Sequence, residues 1–291
     1  MKHAYLIIAH SNFDVLETSL SMLDYKDNDI YVHIDRKVEY SIKYKCKYSN
    51  LYLIPEDKRI DVRWADVTII YAELALYRMA FDIGKYDYFH LMSGMDLPIK
   101  SQKYIHEFFE LNKGKEFIGL MQNAWRTKTK VMYYHILMKK QRGTSLCIKC
   151  CQHMHWIFTQ FQKCLPVVRS KNNMPTLYKG CTWSSLSHDA VEYILSYETW
   201  IKKRFRWTFG ADEIYKHTLL FNSDFKNKVY STKGEYEACL RLQDWKRGDP
   251  YVWTMADYDE IMQSKMLFAR KFDSKNMDVV TAIYNKLMYE K

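Results

Sequence analysis

The chain has 291 residues, 48% of them hydrophobic and 27% charged, with only nine glycines and five prolines. That composition excludes a disordered, collagen-like or linker-rich protein, and no apolar run approaches the ~20 residues needed to span a bilayer. The net charge is +10. Its source is local: from Phe117 to His188 there are 11 Lys and Arg and no Asp or Glu, while the remainder is close to neutral. The seven cysteines are an odd number, expected as thiols at a cytosolic redox poise. The opening run Tyr5-Leu6-Ile7-Ile8-Ala9 is too short for a signal peptide and lacks a cleavage site after it, so a cytoplasmic chain is expected.

Ala4–Ala9 is a near-continuous apolar run, as in a strand buried on both faces. Phe13–Leu23 has helical apolar spacing. Strands are expected at Ile30–Ile34 and Leu51–Ile54, and an amphipathic helix at Val67–Ile83. Tyr86–Met92 reads as a strand, Ser93–Pro98 as a loop, Ser101 as the cap of a helix running to Leu111, and Phe117–Met121 as a strand. The basic middle, from Arg126 to Val168, reads as helical and is followed by a polar loop at Arg169–Pro175. Strands near Cys181–Leu186, Lys226–Ser231 and Ala238–Leu242 and helices near Asp189–Tyr197 and Asp212–Asn222 precede C-terminal helices.

Strands alternating with helices predict an α/β fold with a mostly parallel, Rossmann-like sheet and helices on both faces. No repeat or linker divides the chain. A single domain is expected over 1–291, in which a basic helical insertion (126–175) separates a first part (1–125) from a last part (176–291).

Ligands of such sheets bind beyond the carboxyl ends of the strands. Here those ends are Ala9-His10-Ser11, Asp35-Arg36-Lys37 and Ser93–Asp96. Neither G-x-G-x-x-G nor G-x-x-x-x-G-K-[ST] is present, which argues against a dinucleotide dehydrogenase and a P-loop ATPase. Asp35 can accept hydrogen bonds from a ribose or a base, although an Asp there also serves as a turn residue. Trp64 and Trp183 read either as core residues or as ligand-facing aromatics, the core being the commoner place. Cys147, Cys150, Cys151, His153 and His155 invite a zinc reading. Their spacing lacks the separation usual in zinc fingers, so thiols on a helix are the simpler account. Basic residues interleaved with Trp156, Ile157, Phe158 and Phe161 match an interfacial helix on an anionic membrane better than a nucleic-acid surface.

Several blocks together resemble glycosyltransferase family 14, the core-2/I-branching β-1,6-N-acetylglucosaminyltransferases and peptide xylosyltransferases. They are Ala4–His10, Tyr31–Asp35, Arg63-Trp64, Tyr88–Lys100 with its Ser-Gly-Met-Asp-Leu-Pro-Ile-Lys, Asp212-Glu213, and Leu267–Asp273. The resemblance implies a GT-A fold and inverting, metal-independent transfer from a UDP-sugar, with no further cofactor, as in a bacterial-type member. It maps nucleoside binding to Asp35, the catalytic base to Glu213 and the diphosphate cation to Lys271. Gly248 occupies the position of a family arginine, and Arg247, one residue earlier, is expected to take its place on the donor side through a one-residue shift. Ala9, His10, Trp64, Asp96 and Arg270 complete the expected donor side; Trp183 and Asp212 form the acceptor side. Asp27-Asn28-Asp29 precedes a strand and Asp257-Tyr258-Asp259 opens a helix, so neither provides the strand-end Asp-x-Asp of metal-dependent enzymes. The expected reaction moves a sugar, GlcNAc first, to a glycan or lipid-linked glycan hydroxyl in cell-surface polysaccharide assembly. The rival expectation is a non-catalytic binder of nucleic acid or anionic surfaces.

Overall fold

A computed structural model describes residues 1–121, 127–165, 169 and 175–289. In chain order its first elements are β1 (His3–Ala9), α1 (Phe13–Leu23), β2 (Asn28–Ile34), β3 (Asn50–Leu53), α2 (Thr68–Ile83), β4 (Tyr88–Ser93), β5 (Asp96–Pro98) and α3 (Gln102–Leu111). The basic middle holds α4 (Thr127–Met132) and α5 (Leu146–Cys164). Then follow β6 (Ser185–Ser187), α6 (His188–Ser196), α7 (Glu198–Phe205), α8 (Tyr215–Phe221), α9 (Glu235–Cys239), β7 (Arg241–Gln243), α10 (Tyr258–Gln263), β8 (Phe268–Arg270) and α11 (Met277–Tyr289).

The main sheet has the order β3-β2-β1-β4-β6; all neighbours are parallel except β6, which runs antiparallel to β4. Every residue of β1, β2 and β4 is buried, which explains their near-continuous apolar sequence. Alternate residues of β1 face different cores. Ala4, Leu6 and Ile8 pack with Ile70, Leu74 and Tyr77 of α2. Tyr5, Ile7 and Ala9 pack with Leu16, Leu20 and Leu23 of α1. Helices therefore cover both faces, as the strand–helix alternation predicts. Each fully buried Leu or Ile contributes about 1.5–3 kcal/mol to holding them there.

A second, three-stranded sheet, β5-β8-β7, extends from the end of β4. A third core joins it to the C-terminal helices through Leu97, Ile99, Trp253, Phe272 and Val280. Arg241 fastens the two sheets. Fully buried, it donates to the carbonyls of Cys239, Leu91 and Ser184 and to Ser185 Oγ, and its guanidinium lies 4.2 Å from the centre of the Phe268 ring.

Several local expectations need correction. Phe117–Met121 forms only an isolated bridge, Phe117 with Ser185, beside that of Glu116 with Val229. The strand expected at Lys226–Ser231 is largely a 3-10 turn, Asp224–Lys228. Ala238–Leu242 is divided between α9 and β7, because Leu240 takes a left-handed conformation and ends the helix. Ser93–Pro98, expected as a loop, contains β5, whose three buried residues gain β8 as a partner. The helix expected at Asp212–Asn222 begins as a 3-10 turn, Ala211–Glu213, before α8. The strand expected at Cys181–Leu186 is an extended arm that pairs only at its end, in β6. Arg126, Val168 and most of the polar loop at 169–175 lie outside the described residues.

Candidate active site

The chain crosses from one side of β1 to the other between β3 and β4, so β1 and β4 diverge at a topological switch point. Gly94 lets the two strand ends approach: a Cβ there would lie 2.8 Å from the Ala9 Cβ. The Gly94 N–H donates to the Ile8 carbonyl at 2.9 Å, and the Asp35 N–H donates to the Ala9 carbonyl at 2.8 Å. Ala9, Asp35 and the β4–β5 turn therefore share one rim. His10 projects from it, exposed. Burial lowers its pKa, Asp35 opposes that shift, and Arg270, Lys37 and Arg142 reinforce it.

Asp35 is buried and receives Lys37 Nζ at 2.7 Å. The same ammonium reaches Asp61 at 2.8 Å and the Val62 carbonyl at 2.6 Å, tying Asp35 to the segment that carries Trp64. Asp96 accepts the Ser93 N–H at 2.8 Å and Arg270 Nη1 at 2.8 Å. Burial raises the Asp96 pKa, against the opposing charges of Arg270 and Arg241. Arg270 stacks in turn on Trp183 at 4.5 Å. Trp183 is almost wholly buried, so one face of its ring supports a cation. Trp253 holds the end of β8: its indole N–H donates to the Arg270 carbonyl at 2.9 Å, and its backbone N–H donates to the Lys271 carbonyl at 3.0 Å.

The extended arm leading to β6 connects this cation cluster with the acidic pair. Thr182 Oγ1 donates to Asp212 at 2.8 Å, the Gly180 N–H donates to the Glu213 carbonyl at 2.9 Å, and Lys179 Nζ lies 3.0 Å from the Glu213 carboxylate. Lys130 of α4 approaches the same carboxylate at 3.7 Å. Gly210, left-handed at φ 60°, turns the chain into the Asp212-Glu213 turn, a conformation that glycine adopts without a Cβ penalty. Burial, followed by the charges of Glu213 and Glu73, raises the Asp212 pKa to about 7. Trp64 packs edge-on against Phe209 at 5.6 Å, one residue before that turn. It is exposed and borders the Glu213 side of the site rather than the β1–β4 rim.

The Core-2/I-Branching enzyme family matches residues 3–266. The chain belongs to the core-2/I-branching enzyme family. It is similar to a xylosyltransferase of Ciona intestinalis, 23% identical over 308 residues that cover 97% of this chain and 34% of that protein. Xylosyltransferase 2 of Homo sapiens is 21% identical over 312 residues, covering 98% of this chain and 33% of the relative. This chain therefore spans about a third of the length of the curated relatives it matches. Among solved structures it resembles the apo form of mouse xyloside xylosyltransferase 1, at 9% identity and a TM-score of 0.35, covering 94% of this chain and 99% of that one.

In this core-2/I-branching chain, the arm Lys179–Trp183 links Glu213 and Asp212, which touch Lys179 and Thr182, to Arg270, which stacks on Trp183, and through it to Asp96; Lys271 follows Arg270 directly. Arg247 stands apart. It is paired with Asp244, with Asp257 at 2.7 Å and with Glu260 at 2.9 Å, and it stacks on Tyr251 at 4.4 Å. Three carboxylates thus engage the cation that the shifted alignment offered to a diphosphate. Burial, then the charge of Arg270 and then that of Arg142 from the basic middle, lowers the Lys271 pKa.

Lys130, Arg142, Lys179 and Thr182 are site residues that the sequence did not single out. The signal was the absence of acids around the three cations, whose counter-charges lie far away in the chain. The candidate zinc cluster separates on α5. His155 faces inward to the Ile136 carbonyl at 2.8 Å, while Cys150 and His153 are exposed. Among the described residues, no group of three His, Cys, Asp or Glu side chains could hold a metal. A cleft of about 660 Å³ beside α2, lined by Tyr71, Leu74, Arg78 and Glu198, contains none of the site residues named above.

Proposed function

We propose that the chain is an inverting glycosyltransferase that moves a sugar from a UDP-sugar to an acceptor hydroxyl without a metal ion. The observation that carries this reading is the arm Lys179–Trp183. One end holds the Asp212-Glu213 turn; the other supports Arg270 at the switch point of the sheet. Glu213 takes the proton of the acceptor hydroxyl as its oxygen attacks the anomeric carbon. The bond from that carbon to the diphosphate oxygen breaks, and UDP leaves with both bonding electrons. Lys271, Arg270 and Arg142 supply fixed positive charge beside the leaving group. Asp35, at the end of β2, binds the nucleoside in this reading, which its position on the rim supports. Asp96 stands where an Asp-x-Asp enzyme would hold an ion, and Arg270 already engages it; this supports the metal-independent reading.

The family includes N-acetylglucosaminyltransferases, and the named relatives are xylosyltransferases, so UDP-GlcNAc and UDP-xylose are the first donors to test. UDP release should be measured with glycan and peptide acceptors. Glu213→Gln should lower kcat by at least ~10²-fold while UDP affinity is kept. Turnover should persist in excess EDTA. Normal turnover by the Gln variant removes Glu213 from the role of base; loss of activity in EDTA with recovery on adding Mn²⁺ overturns the metal-independent reading.

A further inference from the structure

The helix α5 is buried on one stripe, yet its opposite stripe is apolar as well. At 100° per residue, Leu146, Cys150, Met154, Ile157 and Phe161 share the outward face. Leu146 is 86% exposed, Met154 52%, Ile157 50% and Phe161 60%. Trp156, 56% exposed, stands with Lys149 and Lys163 on the neighbouring flank, about 60–100° round the helix from Leu146, with His153 and Gln160 between. Water-facing stripes of a surface helix are ordinarily charged, and contiguous exposed apolar patches mark interaction surfaces. Lys139 and Lys140 lie in the turn that precedes the helix, and no carboxylate occurs anywhere from 117 to 188.

We propose that α5 lies on an anionic lipid surface, with Ile157 and Phe161 in the acyl boundary and Lys139, Lys140, Lys149 and Lys163 against the headgroups. The charge selects the occupant. A protein partner requires no particular sign around an apolar stripe, whereas an anionic leaflet attracts a segment whose charges are all positive. Trp156 has the amphipathic ring favoured at the level of the headgroups. The same segment reaches the acceptor side through Lys130, 3.7 Å from Glu213, and through His155 of α5, whose ring lies 6.2 Å from that of Phe209. The lipid surface thus lies beside the acceptor side, and a lipid-carried acceptor is the substrate class that fits. Only this last placement rests on the transferase reading.

Co-sedimentation with vesicles tests the proposal. The protein should pellet with phosphatidylcholine vesicles that contain phosphatidylglycerol, far less with phosphatidylcholine alone, and progressively less as salt rises. Two variants, Ile157→Glu with Phe161→Glu and Lys139→Glu with Lys140→Glu, should each reduce partitioning about tenfold or more and keep the wild-type melting temperature, because all four side chains are exposed or at the surface turn. Anionic vesicles should also slow maleimide labelling of Cys150 on the outward face. UDP binding measured without vesicles should be unchanged in both variants, so failure of donor binding and failure of lipid binding are read separately. Equal recovery in the supernatant with both vesicle types overturns the proposal. So does a vesicle-free dimer that the Ile157→Glu, Phe161→Glu variant dissociates, which would assign the face to a second copy of the chain.

Discussion

Asp212 carries the most informative titration in the site. Its folded pKa of about 7 is raised by burial and by the neighbouring Glu213 and Glu73. A carboxyl raised in this way binds more protons folded than unfolded. Stability is therefore lost as pH rises from the ordinary carboxylate range toward 7, and the loss levels off above it. Asp212→Asn has no such term and keeps an acceptor for Thr182 Oγ1. Relative to wild type, its stability should increase between pH 5 and pH 8 by roughly 2 kcal/mol. Denaturant melts at the two pH values measure this; an unchanged difference would place the ionisation elsewhere. The cations make a separate prediction. Lys271→Ala and Arg142→Ala should each weaken UDP by about tenfold or more and leave uridine affinity unchanged, as isothermal titration of the two ligands would show.

At the scale of elements, β7 and β8 matter because they carry cations to the sheet, and Arg241 holds them there. Arg241→Met would leave the Cys239 and Ser184 carbonyls short of a buried donor. A loss of about 2–4 kcal/mol is expected from chemical denaturation, with UDP affinity falling as the β8 end loosens. Legibility of the sequence divides along the same elements. β1, β2, β4, α1 and α2 were readable because each has a continuous or strongly periodic apolar pattern, and their strand ends located His10, Asp35 and Asp96 correctly on one rim. The three-residue strands β5 and β8 were not. A segment such as Asp96-Leu97-Pro98 has no period of its own and becomes a strand only through a partner far away in sequence. For the same reason Arg247 looked available: the carboxylates that engage it, Asp244, Asp257 and Glu260, form an acidic pocket only in three dimensions. Asp212 and Glu213 were named from the resemblance, but the lysines around Glu213 were visible only as part of a charge excess.

Across the whole molecule, the proposed donor site draws on residues far apart in sequence, from His10 to Lys271, so ligand and fold should be thermodynamically linked. UDP at 100 times its Kd should stabilise the protein by about 2.7 kcal/mol and raise Tm by roughly 5 °C. Hydrogen exchange should show the protection at the β1 and β4 ends and at β8, with little change in α5. The ion pair of Asp96 with Arg270 spans 174 positions of sequence. On a ribosome, β1, β2 and β4 emerge long before that guanidinium does. Until then a nascent chain holds Asp96, just past β4, with no Arg270 to meet it. On the transferase reading, full donor affinity is expected only once β8 has docked and Arg270 and Lys271 have joined the rim.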